Sequence, residues 1–210
     1  FYTPQTIGSL PALNSCDNLL ADGDATFNLN LQTPNIIAQL NPSEYTIDYF
    51  ETQENAENNT NPIISTDTYD NIVPFSQTIY ARIVENTYPD CYSTVSFELN
   101  SINPPETIVP TPLEECDDDY DGITSFNLTD KDIEILNGQT GITVTYHELE
   151  EDAETGDNPI TDPYLNTNPD NQTIYVRLVD DATTCHATTT LELIVNPIPD
   201  VITPPVYEVC

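Results

Sequence analysis

The sequence predicts an all-β protein made of tandem immunoglobulin-like β-sandwich domains joined by short proline-rich connectors. Three observations predict this fold: one pattern occurs twice, each copy alternates apolar and polar residues, and a proline cluster follows each copy. Each copy has room for six or seven strands in roughly 95 residues, which is typical of an immunoglobulin-like sandwich.

The repeat is visible in matched segments that keep the same order in both copies. "QTIYARIV" at 77–84 returns as "QTIYVRLV" at 172–179, and "TIDYFE" at 46–51 returns as "TVTYHE" at 143–148. The offsets are 95 and 97 residues, so they drift only slightly. Ordered matches with a small drift indicate two homologous repeats that differ by short insertions.

The matches divide the chain into repeats and connectors. Proline fixes φ and favours extended backbone, so we expect the connectors to be stiff spacers. The predicted divisions are the end of a preceding repeat at 1–12, repeat 1 at 13–103, a connector at 104–112, repeat 2 at 113–198, and a connector with the start of a third repeat at 199–210.

Strands dominate the local pattern of repeat 2. Its predicted strands are "TSFNL" at 124–128, "GITVTYHE" at 141–148, "QTIYVRLV" at 172–179 and "ATTTLELIV" at 187–195, all rich in β-branched or aromatic residues. The spacing of "DKDIEILN" at 130–137 predicts one or two helical turns, and "TPNIIAQLN" at 33–41 predicts the same in repeat 1.

The charge balance excludes several classes of partner. The chain has 36 acidic residues against Arg82, Lys131 and Arg177, which gives a formal net charge of −33. Nucleic acid and an anionic membrane surface both require basic residues, so we expect no nucleic-acid binding and no direct membrane insertion. Recurring apolar alternation argues against disorder. A folded chain this acidic repels itself, so bound cations would stabilise it.

Five cysteines indicate an oxidising, extracellular setting and allow two pairing schemes. In the first scheme, Cys16 pairs with Cys91 and Cys116 with Cys185, so that each bond closes one repeat. In the second, Cys91 pairs with Cys116 and Cys185 with Cys210, with equal spacings of 25 residues. We favour the first, because a long last strand and a connector separate the partners of the second.

An aspartate cluster opens repeat 2. Asp117, Asp119 and Asp121 alternate along the chain and Gly122 follows them, a spacing that offers a calcium ion several carboxylates around a sharp turn. An EF-hand loop would place a glutamate where Leu128 stands, so the loop is no EF-hand. We predict calcium as a structural cofactor at this corner.

The corresponding corner of repeat 1, "CDNLLADGDATFNL" at 16–29, has one inserted residue and lacks the central aspartate. Asp17, Asp22 and Asp24 are its candidate calcium ligands. The weaker set makes an ion less strongly indicated here, because the Asp-Gly step also serves a turn without any metal.

The remaining polar residues indicate structure rather than catalysis. Arg82 and Arg177 occupy the same strand position and are predicted to form structural ion pairs with carboxylates. His147 and His186 match Phe50 and Tyr92 in repeat 1, so both are predicted to be strand residues without a metal or catalytic role. Catalytic motifs are missing from the sequence, and we expect no enzyme.

The corner "LEECDDDYDGITSFNLTD", the strand "QTIYVRLVD" and the run "CHATTTLELIVNPIP" together resemble repeats of very large surface proteins of Bacteroidota, particularly flavobacteria. These include adhesins of the SprB-like gliding class, which the type 9 secretion system exports. The resemblance implies a long, multi-repeat filament at the cell surface.

These observations predict a non-catalytic segment of an extracellular adhesin or filament, stiffened by disulfides inside each repeat and by calcium. Its expected partners are neighbouring repeats of the same chain, together with surface polysaccharide or other cell-surface proteins. A carbohydrate-binding module, or an accessory module of a secreted enzyme, is the alternative. Tyr49, Tyr80, Tyr146 and Tyr175 weaken that alternative, because their strand positions predict core or half-buried side chains.

Overall fold

A computed structural model describes residues 7–18, 21–38 and 42–199. Residues 1–6 of the predicted end of a preceding repeat lie outside the described part, as do residues 200–210, which include Cys210 and nearly all of the predicted start of a third repeat. The chain divides into two compact units, Phe1–Pro104 and Pro105–Cys210, which are described separately.

Unit 1 combines a four-stranded sheet with a small two-stranded sheet. The large sheet has the order β1-β6-β5-β3, and β2 pairs with β4. The strands are β1 Leu13–Cys16, β2 Thr26–Phe27, β3 Tyr45–Phe50, β4 Tyr69–Asp70, β5 Ser76–Glu85 and β6 Tyr88–Ile102; the helices are α1 Thr33–Ile37 and α2 Gln53–Asn58, with 3-10 turns at Leu29–Gln32 and Pro42–Glu44.

Unit 2 has the same arrangement. Its large sheet has the order β7-β12-β11-β9, and β8 pairs with β10. The strands are β7 Leu113–Cys116, β8 Ser125–Phe126, β9 Ile142–His147, β10 Tyr164–Leu165, β11 Asn171–Asp180 and β12 His186–Asn196; the helices are α3 Asp132–Leu136 and α4 Glu150–Thr155, with a 3-10 turn at Leu128–Lys131.

The first and last strands of each unit lie side by side and run in the same direction. β1 is parallel to the end of β6, with Leu13 opposite Leu99 and Cys16 opposite Ile102. β7 has the same relation to β12, with Cys116 opposite Asn196. The other strand pairs are antiparallel. Each first strand therefore carries its cysteine to the end of the repeat where the last strand finishes.

In each unit the core joins buried residues of the large sheet to those of the small sheet and of α1 or α3, whereas the buried alanines of α2 and α4 lie outside this cluster. Along β11, Ile174, Val176 and Leu178 are fully buried at every second position, so one face of the strand packs inward. Their partners in unit 2 are Phe126, Leu128, Ile135, Tyr146, Tyr164, Leu191, Leu193 and Val195. Each large apolar side chain buried this way contributes about 1.5–3 kcal/mol.

The predicted all-β tandem sandwich is confirmed. The strands predicted at 141–148, 172–179 and 187–195 form as β9, β11 and β12, and the helical turns predicted at 130–137 form as a 3-10 turn and α3. The strand predicted at 124–128 is shorter, because a 3-10 turn begins at Leu128. Helices α2 and α4 were not predicted: "QENAEN" and "EEDAET" each bury a single alanine and so show no apolar period.

Candidate functional site at the two ends of each repeat

Each unit has an exit end, where its last strand finishes at Ile102 or Asn196, and an opposite entry end, where that strand starts. Cys16 and Cys116 lie at the exit ends, because they pair with those final residues. Cys91 lies near the start of β6, and Cys185 directly precedes β12. Each unit thus places one cysteine at each end.

This placement shows that the predicted pairing inside each repeat is wrong. Cys91 precedes Ile102 by eleven residues of one strand, and Cys185 precedes Asn196 by the same number. Eleven residues of strand span about 36 Å, whereas a disulfide needs Cα atoms within about 7 Å. Bonds between Cys16 and Cys91, or between Cys116 and Cys185, would have to cross the length of the sheet.

The oxidation states of the cysteines agree with this correction. Cys16 and Cys185 are disulfide-bonded, whereas Cys91 and Cys116 carry free thiols. The free thiols also contradict the Cys91–Cys116 bond of the second scheme, and that scheme's Cys185–Cys210 bond involves a residue outside the described part. One exit-end cysteine and one entry-end cysteine are therefore oxidised.

The aspartate corner of unit 2 lies at its exit end, and Asp117 organises it. The buried Asp117 carboxylate accepts hydrogen bonds from the backbone N–H groups of Asp119 at 3.0 Å, Tyr120 at 2.9 Å and Gly122 at 2.9 Å. These bonds, that of Asp119 first, lower the pKa of Asp117. The backbone N–H of Asp117 donates to the Asn196 carbonyl at 2.9 Å, which fastens the corner to the end of β12.

Carboxylate oxygens of Asp117, Asp118 and Asp119 lie within 4.8 Å of one another and are the residues that could hold a cation here. Asp121 is outside this group, and its carboxylate accepts from the backbone N–H of Ile123 at 2.8 Å. The pKa of Asp119 is raised, first by burial and then by the charge of Asp121. Of the predicted ligands, Asp117 and Asp119 lie together, and Asp118 takes the place of Asp121.

The corner of unit 1 is built in the same way with fewer carboxylates. Asp17 is buried, accepts from the backbone N–H of Gly23 and lies 3.4 Å from the donating Ser101 hydroxyl. Its Oδ1 atom has no hydrogen-bond partner among the described residues. Asp22 accepts from the backbone N–H of Asp24 at 3.2 Å. Within the described residues of unit 1, Asp17, Asp22 and Asp24 do not form a three-carboxylate group.

Glycine is required at both corners by close packing as well as by backbone conformation. Gly122 has φ +75°, and a Cβ atom there would lie 2.8 Å from a carboxylate oxygen of Asp170 and 2.9 Å from its backbone nitrogen. Gly23 has φ +89°, and its Cβ would lie 2.6 Å from the backbone nitrogen of Phe75. The Asp-Gly step thus has a structural cause that is independent of any metal.

The connector of unit 2 is docked on the repeat that follows it. Glu134, in α3, accepts from the backbone N–H of Thr111 at 2.6 Å and from its hydroxyl at 2.9 Å, which lowers the pKa of Glu134. Lys131 donates to the Thr111 hydroxyl at 2.7 Å and forms an ion pair with Glu134 at 3.2 Å. In unit 1, the buried Gln32 amide donates to the Pro11 carbonyl at the matching position.

Two further contacts continue this docking towards the entry end. Glu106 and Gln139 exchange backbone-to-side-chain hydrogen bonds of 3.0 Å each, and the Thr189 hydroxyl donates to the Ile108 carbonyl at 3.0 Å. Glu106, Ile108 and Thr111 of the connector are therefore hydrogen-bonded to repeat 2.

Both arginines bind backbone carbonyls at the C-terminal ends of short helices, and the predicted ion pairs with carboxylates are not seen among the described residues. Arg82 donates to the carbonyls of Ala56 and Glu57 at 2.8 and 3.1 Å. Arg177 donates to those of Ala153 and Glu154 at 2.7 and 2.6 Å. Helix ends leave such carbonyls without partners, and a cation is favoured there.

The surroundings of the two arginines differ. The Arg82 guanidinium lies 3.4 Å from the centre of the Tyr92 ring. In unit 2 the matching residue is His186, whose Nε2 lies 3.4 Å from a carboxylate oxygen of Glu154. His147 is fully buried, and its ring nitrogens contact the Asp157 carbonyl and the Thr145 hydroxyl, as expected for a packed strand residue.

The tyrosines named for the strands are core or half-buried, as predicted. Tyr49 and Tyr146 are buried, and Tyr80 and Tyr175 are half-buried. Tyr49 packs edge-on against Phe97, and the Tyr146 hydroxyl donates to Asp132 at 2.6 Å. These rings serve packing and hydrogen bonding inside the repeats.

Comparison with known proteins finds a family profile that matches both repeats. The profile described as the Flavobacterium inter-domain disulphide bond domain matches residues 12–105 and 112–199. The curated proteins contain no match. In the described part of the chain, no helix is long and apolar enough to cross a membrane.

Solved structures with some similarity share little sequence with this chain. A human mucin-like protocadherin EC1-2 structure is 12% identical, covers 93% of this chain and 98% of its own, and has a TM-score of 0.22. A titin A168169 structure is 11% identical, with coverages of 92% and 98% and a TM-score of 0.24. The insect immune protein hemolin is 11% identical, with coverages of 93% and 46% and a TM-score of 0.25.

Proposed function

Because the chain belongs to the family of Flavobacterium inter-domain disulphide bond domains, we propose that it is a structural repeat segment in which a disulfide crosslinks each repeat to the next. The bond joins the exit-end cysteine of one repeat, Cys16, to the entry-end cysteine of the following repeat, Cys185. The observation that carries this proposal is that these two cysteines are oxidised while Cys91 and Cys116 are free.

The path of the connector supports the same pairing. Repeat 1 finishes at Ile102, beside Cys16. The connector then runs parallel to β12, with Ile108 bonded to Thr189 and Leu113 opposite Leu193. Within unit 2, the connector from Glu106 onwards therefore runs beside the start of β12, the strand that Cys185 directly precedes. This path is compatible with the proposed bond between Cys16 and Cys185.

The function that follows is mechanical and non-catalytic. A disulfide framework persists in an oxidising, extracellular setting. We propose an array of such repeats in a stalk or filament of a flavobacterial surface adhesin, of the type that the type 9 secretion system exports and that serves gliding. Neighbouring repeats are the partners of each repeat, and surface polysaccharide or other cell-surface proteins are partners of the whole filament.

Trypsin mapping of the oxidised full chain tests the pairing, because the chain has only three cleavage sites. Cutting after Arg82, Lys131 and Arg177 separates Cys16 on peptide 1–82 from Cys91 and Cys116 on 83–131 and from Cys185 and Cys210 on 178–210. We expect 1–82 linked to 178–210, and 83–131 released with two free thiols. The Cys210→Ser variant should retain the link.

The other pairing schemes give different peptide sets. Bonds inside each repeat would join all three peptides, and the spacing of 25 residues would instead close a loop within 83–131 and another within 178–210. Either pattern would reject the proposal.

We also propose calcium at the unit 2 corner, held by Asp118 and Asp119 with support from Asp117. Three backbone N–H groups already occupy Asp117, so Asp118 and Asp119 would supply most of the charge. The pKa of Asp119 is raised first by burial and then by the charge of Asp121, and a cation would relieve that repulsion. The weaker corner of unit 1, with Asp17, Asp22 and Asp24, is the second candidate.

Thermal unfolding of the full chain in calcium and in chelator tests this site. Calcium at about 100 times its Kd should stabilise the chain by about 2.7 kcal/mol, seen as a higher Tm. Asp119→Asn should remove most of the shift, whereas Asp157→Asn, an exposed aspartate outside the corner, should leave it intact. Equal melting curves in calcium and chelator would reject the calcium proposal without affecting the crosslink.

A further inference from the structure

We infer that the crosslink shields both repeats from tension applied to the two ends of the chain. The inference rests on the proposed Cys16–Cys185 bond. Tension would pass from β1 through the disulfide into β12, and residues 17–184 would form a closed loop outside that path. The hydrophobic cores of both repeats would therefore stay folded under forces that unfold the same repeats without the bond.

The path through the disulfide has little slack, because the two chain segments that lead to it are strands that are already extended. β1 reaches Cys16 over the four residues Leu13–Cys16, and β12 begins directly after Cys185 and continues to Asn196. A strand rises about 3.3 Å per residue, and a fully stretched chain gains only about 0.3 Å more. Pulling on these segments lengthens them little, so the path carries tension without first extracting a strand from either sheet.

Without the bond, tension on repeat 1 acts on the pairing between β1 and β6. These strands are parallel, so a force on the N-terminal end of β1 and an opposite force on the C-terminal end of β6 slide one along the other. The four residue pairs from Leu13 with Leu99 to Cys16 with Ile102 resist that sliding together. β7 and β12 repeat the arrangement, so each reduced repeat should unfold as a separate event.

The Cys16–Cys185 bond would change which residues resist the tension. Cys16 is the last residue of β1, and the next residue, Asp17, donates its backbone N–H to the Ile102 carbonyl at 2.8 Å. A bond at Cys16 would therefore hold β1 at the end opposite to its incoming connector. Tension would then pass along β1 from its connector into the disulfide. The hydrogen bonds between β1 and β6 would no longer be the only contacts that resist it.

Single-molecule stretching of the full chain, held by its two termini, tests this inference. The reduced chain should show two unfolding steps, each on the order of 300 Å for about 90 residues at about 3.5 Å each. The oxidised chain should show a smooth extension of its end segments and no step. Cys16→Ser should restore both steps under oxidising conditions, whereas Cys91→Ser, which removes a free thiol, should behave as the parent chain.

The outcomes separate the inference from the proposed function. Two long steps in an oxidised chain whose tryptic map lacks the link between 1–82 and 178–210 would reject the crosslink itself. In a chain whose tryptic map contains the link, discrete steps of tens of ångströms would show that a strand is extracted before the disulfide carries the tension. That result would overturn the shielding and leave the crosslink in place.

Discussion

Reduction of the disulfide is expected to lower the free energy of unfolding of the full chain by up to about 5 kcal/mol. The proposed Cys16–Cys185 bond closes a loop of about 170 residues, and the chain-entropy model assigns about 5 kcal/mol to a loop of that length. The bond acts mainly on the unfolded chain, whose conformational freedom it restricts. Guanidinium unfolding with and without reductant measures the effect through tyrosine fluorescence, since the chain has 12 tyrosines and no tryptophan.

Matched serine variants separate this effect from the general chemistry of thiols. Cys16→Ser and Cys185→Ser should each reproduce the loss under oxidising conditions. Cys91→Ser and Cys116→Ser should change stability by less than about 0.5 kcal/mol, because free thiols near the surface close no loop. A loss of several kcal/mol in Cys91→Ser and none in Cys185→Ser would contradict the assigned bonding states.

The sequence predicted the repeats and their strands but not the direction of the first strand. That direction determines where the first cysteine of each repeat lies, and so which disulfides can form. The segment "LEEC" at 113–116 has no long alternation that could assign it to a sheet or orient it. Its parallel pairing with the end of β12 is a long-range contact, and it carries Cys116 to the end of the repeat opposite Cys185. The expected bond inside each repeat therefore joined two cysteines that the fold places about 36 Å apart.

The aspartate corner was located correctly, while the role of its residues needed the structure. The sequence identified Asp117 and Gly122, and both are central to the turn. It could not indicate that Asp117 accepts three backbone N–H groups or that Gly122 packs against Asp170, because Asp170 is 48 residues further along the chain. A run of alternating aspartates serves turn formation as well as metal binding, and both use the same residue types.

The arginines show the same limit. Their equivalent positions in the two repeats correctly indicated a shared structural role, and the acidic composition suggested carboxylate partners. The true acceptors are carbonyls at the ends of α2 and α4. These helices have almost no apolar pattern, since each buries a single alanine, Ala56 or Ala153. A partner in an element that the sequence does not reveal cannot be predicted from spacing.

Substituting Arg82 by methionine is expected to cost about 3 kcal/mol of the free energy of unfolding of repeat 1. Methionine keeps an apolar stem but removes the donor to the Ala56 and Glu57 carbonyls and the cation above the Tyr92 ring. A hydrogen bond from a charged group contributes about 1.5–3 kcal/mol, and a partly desolvated cation–π contact adds about 1 kcal/mol. The Arg82 Nε atom is buried without a partner, so its removal offsets part of this loss.

Arg177→Met is the matched variant in repeat 2, and its cost should be smaller, about 1–2 kcal/mol, for two reasons. Arg177 is more exposed than Arg82, so water replaces its bonds more readily, and His186 stands where Tyr92 would provide an aromatic face. Denaturant unfolding of both variants in the oxidised chain measures the difference. Equal losses would show that the ring contributes little, and a larger loss for Arg177→Met would contradict the view that burial of the guanidinium determines the strength of the contact with the helix end.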